Sequence, residues 1–149
     1  MIKSCTMRIF TLKLPLFIWV AIFASACIRH ETPVKANKRF EPTNSDSLVL
    51  SGTFRSSSRH DARGTVEVFS NANGQVVSFI DFKGDNGPNL RVYASTSLSD
   101  NTFIELGKLV AVEGSFSYTA SANTDFTLYR NIIIWCADFD VLFGFAELQ

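Results

Sequence analysis

The chain predicts an all-β domain, an antiparallel β-sandwich or jelly-roll-like barrel, on three observations. Short apolar runs alternate with polar residues at a period of two, turn residues punctuate them at short spacing, and no segment carries a long capped stripe of period 3.6. No internal repeat is present. With 149 residues, 46% of them hydrophobic and 13% aromatic, there is enough apolar surface for one core, which excludes a disordered chain.

Residues 1–26 form a leader with a basic start and an apolar run over 14–26 that contains Pro15. That run is shorter than the roughly 20 residues a spanning helix needs, so a signal peptide is expected rather than a permanent membrane helix. Ala24, Ser25 and Ala26 directly before Cys27 resemble a bacterial lipobox, whose cysteine is diacylated and becomes the new N-terminus. The alternative is plain secretion, because the same small residues suit an Ala-x-Ala peptidase that cuts at the same bond. On the lipobox resemblance the protein is expected to be extracytoplasmic, anchored in the bacterial cell envelope with the membrane as its partner through Cys27. Residues 27–46 hold Pro33, Pro42 and His30 without apolar periodicity, the composition of a flexible tether, and the folded domain is expected over 47–149.

Lys3, Arg8 and Lys13 fall in the leader, which has no acid, so of 14 basic and 14 acidic side chains the remainder keeps 11 basic against 14 acidic, a net of −3. No Lys/Arg cluster remains to neutralise phosphates, and nucleic-acid binding is not expected.

The first strand spans residues 47–54, alternating around Leu48, Leu50 and Gly52, and runs into Ser56, Ser57 and Ser58. Val66 and Val68 alternate with polar neighbours, Asn71, Ala72, Asn73 and Gly74 supply a turn, and residues 76–82 return, so 64–82 is expected as a hairpin. After the turn at 84–88, Leu90, Val92 and Ala94 face one way and Arg91 and Tyr93 the other. Polar loops over 95–101 and 121–125 bracket short apolar segments around Gly107. The organising stretch is 131–148. Apolar residues of both parities predict a central strand with Ile132, Ile134 and Cys136 on one face and Ile133 and Trp135 on the other. After a short acidic turn, Phe139, Val141, Phe143 and Phe145 are expected on one side, with Gly144 and Ala146 leaving the other small enough for a close neighbour.

Several residues match a known family. They are Gly52, Phe54 and His60; Gly64 and Val66; Asp81 and Phe82; the run Asn86, Gly87, Pro88, Asn89, Leu90 with Val92 and Tyr93; Leu106, Gly107 and Leu109; Gly114 and Tyr118; and Ile134, Trp135, Cys136 with Phe139, Val141, Phe143, Gly144 and Ala146. Over about 47–149 the chain resembles the DM-thirteen domain, often labelled an electron-transfer domain. It departs from the pattern at Asn89, more often Asp there, and at Ala94, usually Leu. The resemblance implies a β-rich extracytoplasmic module with a characteristic cysteine at the position of Cys136. In animal members such modules accompany DOMON and transmembrane cytochrome domains, so the implied function is redox or electron transfer with a redox partner protein.

Cys136 is the redox or thiol candidate: with Cys27 lipidated, the globular part has no second thiol for a disulfide. The competing reading is a small apolar core residue made inert by aliphatic neighbours. His60 is the possible assisting ligand, and a Cys/His pair suits haem or copper; two ligands alone are not specific, and a lone histidine in a Ser/Arg-rich loop reads first as a solvated side chain. Asp81, Asp85 and Asn86 could offer oxygens to Ca²⁺, or simply cap turns. Asp138 and Asp140 are better placed for solvating a turn than for glycosidase chemistry. Nucleophile-elbow, zinc-helix, P-loop and dinucleotide-binding patterns are missing, so no free-standing enzyme is expected. The alternative function is a structural or binding module of the surface in which Cys136 only packs the core, marked by an exposed apolar patch.

Overall fold

The computed structural model describes residues 32–99 and 102–149, so the leader and Cys27 lie outside the described residues. The described chain contains no helix. Its strands are β1 (Lys35–Asn37), β2 (Ser47–Ser56), β3 (Ala62–Asn71), β4 (Gly74–Gly84), β5 (Leu90–Ser95), β6 (Phe103–Lys108), β7 (Glu113–Ala120), β8 (Asn131–Cys136) and β9 (Val141–Glu147). They form one curled sheet in the order β1-β7-β4-β3-β2-β9-β8-β5-β6. All pairings are antiparallel except β1 with β7, so the sheet is mixed.

The curl is made in β2. Residues 47–53 of this strand pair with β3, whereas Phe54, Arg55 and Ser56 pair with β9, so one strand belongs to two half-sheets that face each other. Bulges tighten the bend: register slips between Arg63 and Thr65 in β3 and between Phe79 and Phe82 in β4. Asp81 sits in the second with a left-handed φ of 47°, its N–H donated to Ser115 Oγ at 3.0 Å.

The main core fills the concave side. Val66, Val68, Val77, Phe79, Phe82 and Phe116 come from one half, and Leu90, Val92, Ala94, Ile132, Ile134, Cys136 and Ala146 from the other. Phe79 stacks on Phe116 with centroids 5.0 Å apart and meets Phe54 at 4.9 Å, packing of a kind that adds about 0.5–1.5 kcal/mol per pair beyond area burial. Tyr118 closes the far side: its hydroxyl donates to the Lys108 carbonyl and accepts from the Val110 N–H, each at 3.1 Å. A smaller cluster of Tyr93, Ile133 and Trp135, flanked by Leu142 and Phe145, covers the outer face of the second half.

The parity expected for β5 and β8 is what the two clusters show, and the hairpin over 64–82 is β3 with β4. Two expectations give way. Phe139, Val141, Phe143 and Phe145 do not share a side, because a bulge slips the register between Ile134 and Trp135. Phe143 therefore joins Val141 and Ala146 at the main core, Phe145 turns to the outer cluster, and Phe139 projects from the turn 70% exposed. The tether is not structureless: Lys35–Asn37 pairs with Glu113, Gly114 and Ser115, an edge pairing that needs no amphipathic pattern and so left no trace in periodicity.

Candidate functional site

Three segments converge at the end of the sheet where β4 leaves and β5 begins: the 57–61 loop, the 85–90 loop and the bulge of β9. In the 57–61 loop, Ser57 Oγ accepts the His60 N–H at 3.1 Å and the Ser57 N–H bonds the His60 carbonyl at 3.0 Å, a tight turn that presents the imidazole. His60 lies flat on Phe143, with ring centroids 3.7 Å apart and planes 5° from parallel. Its Nδ1 is 3.3 Å from Asp85 Oδ2, which also accepts the Asp61 N–H at 3.1 Å. Because the carboxylate accepts, the proton of a neutral ring belongs on Nδ1 and the Nε2 lone pair is left for another group. Among the described residues no protein group bonds Nε2.

Phe143 in turn rests on the 85–90 loop. A Cβ on Gly87 would meet its Cζ at 2.7 Å and Leu90 Cδ2 at 3.3 Å, so this position has no room for a side chain. Pro88 follows, and its carbonyl accepts the thiol of Cys136 at 3.1 Å. Cys136 has no exposed surface and is unpaired. Asn89, at a left-handed φ of 48°, donates to Asp138 Oδ1 at 2.7 Å and accepts from Arg91 Nε at 3.0 Å, and Arg91 reaches Glu105. An amide serves here where a carboxylate would face Asp138, which accounts for Asn at this position.

His60 and Cys136 thus bear on the same loop, one through Asp85 and the other through Pro88, with no bond between them. His60 is not the solvated loop residue of the bland reading, since stacking and the Asp85 contact hold it. Asn86 acts locally, its Oδ1 accepting the Gly87 N–H at 2.9 Å, whereas Asp85 is engaged by His60 and the Asp61 N–H. Among the described residues, no three His, Cys, Asp or Glu side chains are arranged to hold a metal. Haem or copper at a Cys136/His60 pair does not fit, because the thiol is engaged with a backbone carbonyl inside the core. Phe143 as a platform and Asp85 as the histidine's partner were not legible as such. The only trace was the Gly87, Pro88 pair, which marks a backbone approached closely from both sides.

Over residues 53–148 the chain matches the family model described as Electron transfer DM13. The chain belongs to this family. No curated protein and no solved structure matches it. The match runs from the last residues of β2 through β9 and takes in His60, Asp85, Phe143 and Cys136, so the converging segments lie within the DM13 domain and β1 lies before it.

Proposed function

We propose that this DM13 domain serves electron transfer in the bacterial cell envelope as a lipid-anchored module, with the redox centre supplied by a partner protein and Cys136 confined to the core. The family description supports the electron-transfer role, and the leader ending at Cys27 supports the anchor. One observation carries the assignment of Cys136: with no exposed surface and its S–H donating a hydrogen bond to the Pro88 carbonyl, the thiol meets neither an oxidant nor a second sulfur in the folded state. Alkylation of the mature protein followed by intact mass tests this. Cys136 is expected to label only after denaturation; rapid labelling of the native protein, with a midpoint well below the free-thiol value of about 8.5, overturns it.

A second reading, a surface binding module, draws on the apolar side chains of the outer face. Phe103 stacks on Tyr93 at 4.1 Å yet is 39% exposed, and Leu98 is exposed as well. Mixing the protein with reduced envelope cytochromes separates the two: a change in their reoxidation rate supports electron transfer, and binding that leaves the rate unaltered supports the module.

A further inference from the structure

Residues 32–40, ahead of the DM13 match, are fastened to the domain. Pro33 accepts the Val112 N–H at 3.0 Å, Lys35–Asn37 pairs in parallel with Glu113, Gly114 and Ser115, and the Lys38 N–H bonds the Ser115 carbonyl at 2.8 Å. Lys35 Nζ is 3.0 Å from Glu113 Oε1, and Phe40 packs on Phe69 with centroids 5.2 Å apart. At Gly114, with φ +124°, a Cβ would fall on the Ala36 carbonyl, so β1 lies closer to β7 than any other residue would permit. Thr32 is itself buried.

This fastening changes the reach of the anchor. A free chain from Cys27 to the first residue of β2, Ser47, would extend up to about 70 Å, at no more than ~3.6 Å per residue. With Thr32 held in the fold, only the five steps from Cys27 to Thr32 remain, at most about 18 Å. The end of the domain where the chain emerges is then held within about 18 Å of the bilayer surface.

That end has the side chains for such a position. Thr32 and Pro33 share a shallow cleft with Asn89, Lys108 and Val110. Around it Val34 is 63% and Val110 39% exposed, and Phe139 projects beside Asp138, which Asn89 holds. Lys108 borders the apolar side chains, its stem suited to lie along an interface with the ammonium group in the headgroups.

We infer that residues 32–40 are a clip that docks this end of the domain, through Val34, Val110 and Phe139, on the phospholipid surface holding the anchor. The inference rests on lipidation of Cys27. It leaves the His60 corner close to the membrane plane, so that a redox partner would meet it as a membrane protein rather than as a freely diffusing one.

The test uses the full lipidated protein in phosphatidylethanolamine/phosphatidylglycerol vesicles with brominated acyl chains. A Val110→Trp variant is expected to lose at least half of its added emission to bromine quenching, while Leu128→Trp, at the opposite end of the sheet, is unaffected. A spacer of about twenty Gly/Ser residues inserted after residue 28 leaves the fold untouched and is expected to abolish most of the quenching. Equal quenching at both positions, or none at Val110→Trp in protein that carries lipid by intact mass and floats with the vesicles, overturns the clip. An unmodified Cys27 by mass overturns the anchor, and the docking falls with it.

Discussion

His60 and Phe143 lie face to face, 3.7 Å between ring centroids and 5° between planes, although 83 positions separate them in the chain. The contact joins the 57–61 loop to the bulge of β9, and Gly87 closes beneath it. Phe143→Ala is expected to lower stability by ~3–5 kcal/mol, the cost of a buried aromatic replaced by a cavity. Phe143→Leu should cost about 1–2 kcal/mol, keeping volume but not the flat face. Urea midpoints measure both. In either variant the ring-current shift of the His60 protons should vanish from the NMR spectrum; its persistence would place His60 on another surface.

Gly144 and Ala62 bring β9 and β3 into close approach. A Cβ on Gly144 would lie 2.3 Å from that of Ala62, so Gly144→Ala is expected to destabilise by about 1–3 kcal/mol through overpacking. Adding Ala62→Gly should recover part of the loss. Strictly additive effects in the double-mutant cycle would mean that the two positions do not touch.

Tyr118 should make the domain sensitive to alkali. Burial pushes its phenol well above the ordinary value of 10.0, opposed in part by the Val110 N–H that it accepts. The folded state therefore keeps a proton that the unfolded state gives up. The contribution is fully present below pH 10 and declines as pH rises toward the folded value. Tyr118→Phe is expected to cost ~1–3 kcal/mol at pH 7 by leaving the Lys108 carbonyl and Val110 N–H unpaired. It should also flatten the fall in stability between about pH 10 and 11.5 relative to the parent, as urea titrations at stepped pH would show. Parallel curves would assign the alkaline loss to other groups.

Trp135 holds the outer cluster, paired across the sheet with Arg91 and Leu142. Trp135→Ala is expected to destabilise by ~3–5 kcal/mol. A loss under about 1 kcal/mol in chemical denaturation would show that this face contributes little to the fold.

The clip gives a further contrast. Lys35, through a hydrogen bond and its charge, and Lys83 hold the Glu113 carboxyl below its ordinary 4.5. The depressed value means that this contribution is present above pH 4.5 and fades as pH falls through the folded value. Amide exchange at Lys38 should therefore accelerate on acidification once corrected for intrinsic rates, and less so in Glu113→Gln. Equal pH dependence in the two proteins would separate the clip from this carboxylate.

Much of the strand pattern was legible because it is local. Ile132, Ile134 and Cys136 against Ile133 and Trp135 follow from a two-residue period, and so do Leu90, Val92 and Ala94 against Tyr93. Gly144 and Ala146 likewise announced a close neighbour through their size alone. Where the period breaks, the reading broke with it. A single bulged residue exchanges the faces of everything beyond it, and Phe143 looks no different in sequence from a residue in phase.

The amino-acid sequence by itself determined the all-β class, the β3–β4 hairpin, the central position of β8, and the membership suggested by the Gly87, Pro88 and Trp135, Cys136 runs. Only the tertiary structure decided that β2 divides between two half-sheets, that His60 rests on Phe143 with Asp85 at its Nδ1, that the Cys136 thiol ends on Pro88, and that β1 is clipped to β7. The physical reason is the range of the interaction. Alternation and turn chemistry act between neighbours in the chain, whereas stacking, a thiol–carbonyl bond and an edge pairing join residues dozens of positions apart, and their partners are selected only when the curled sheet brings them together.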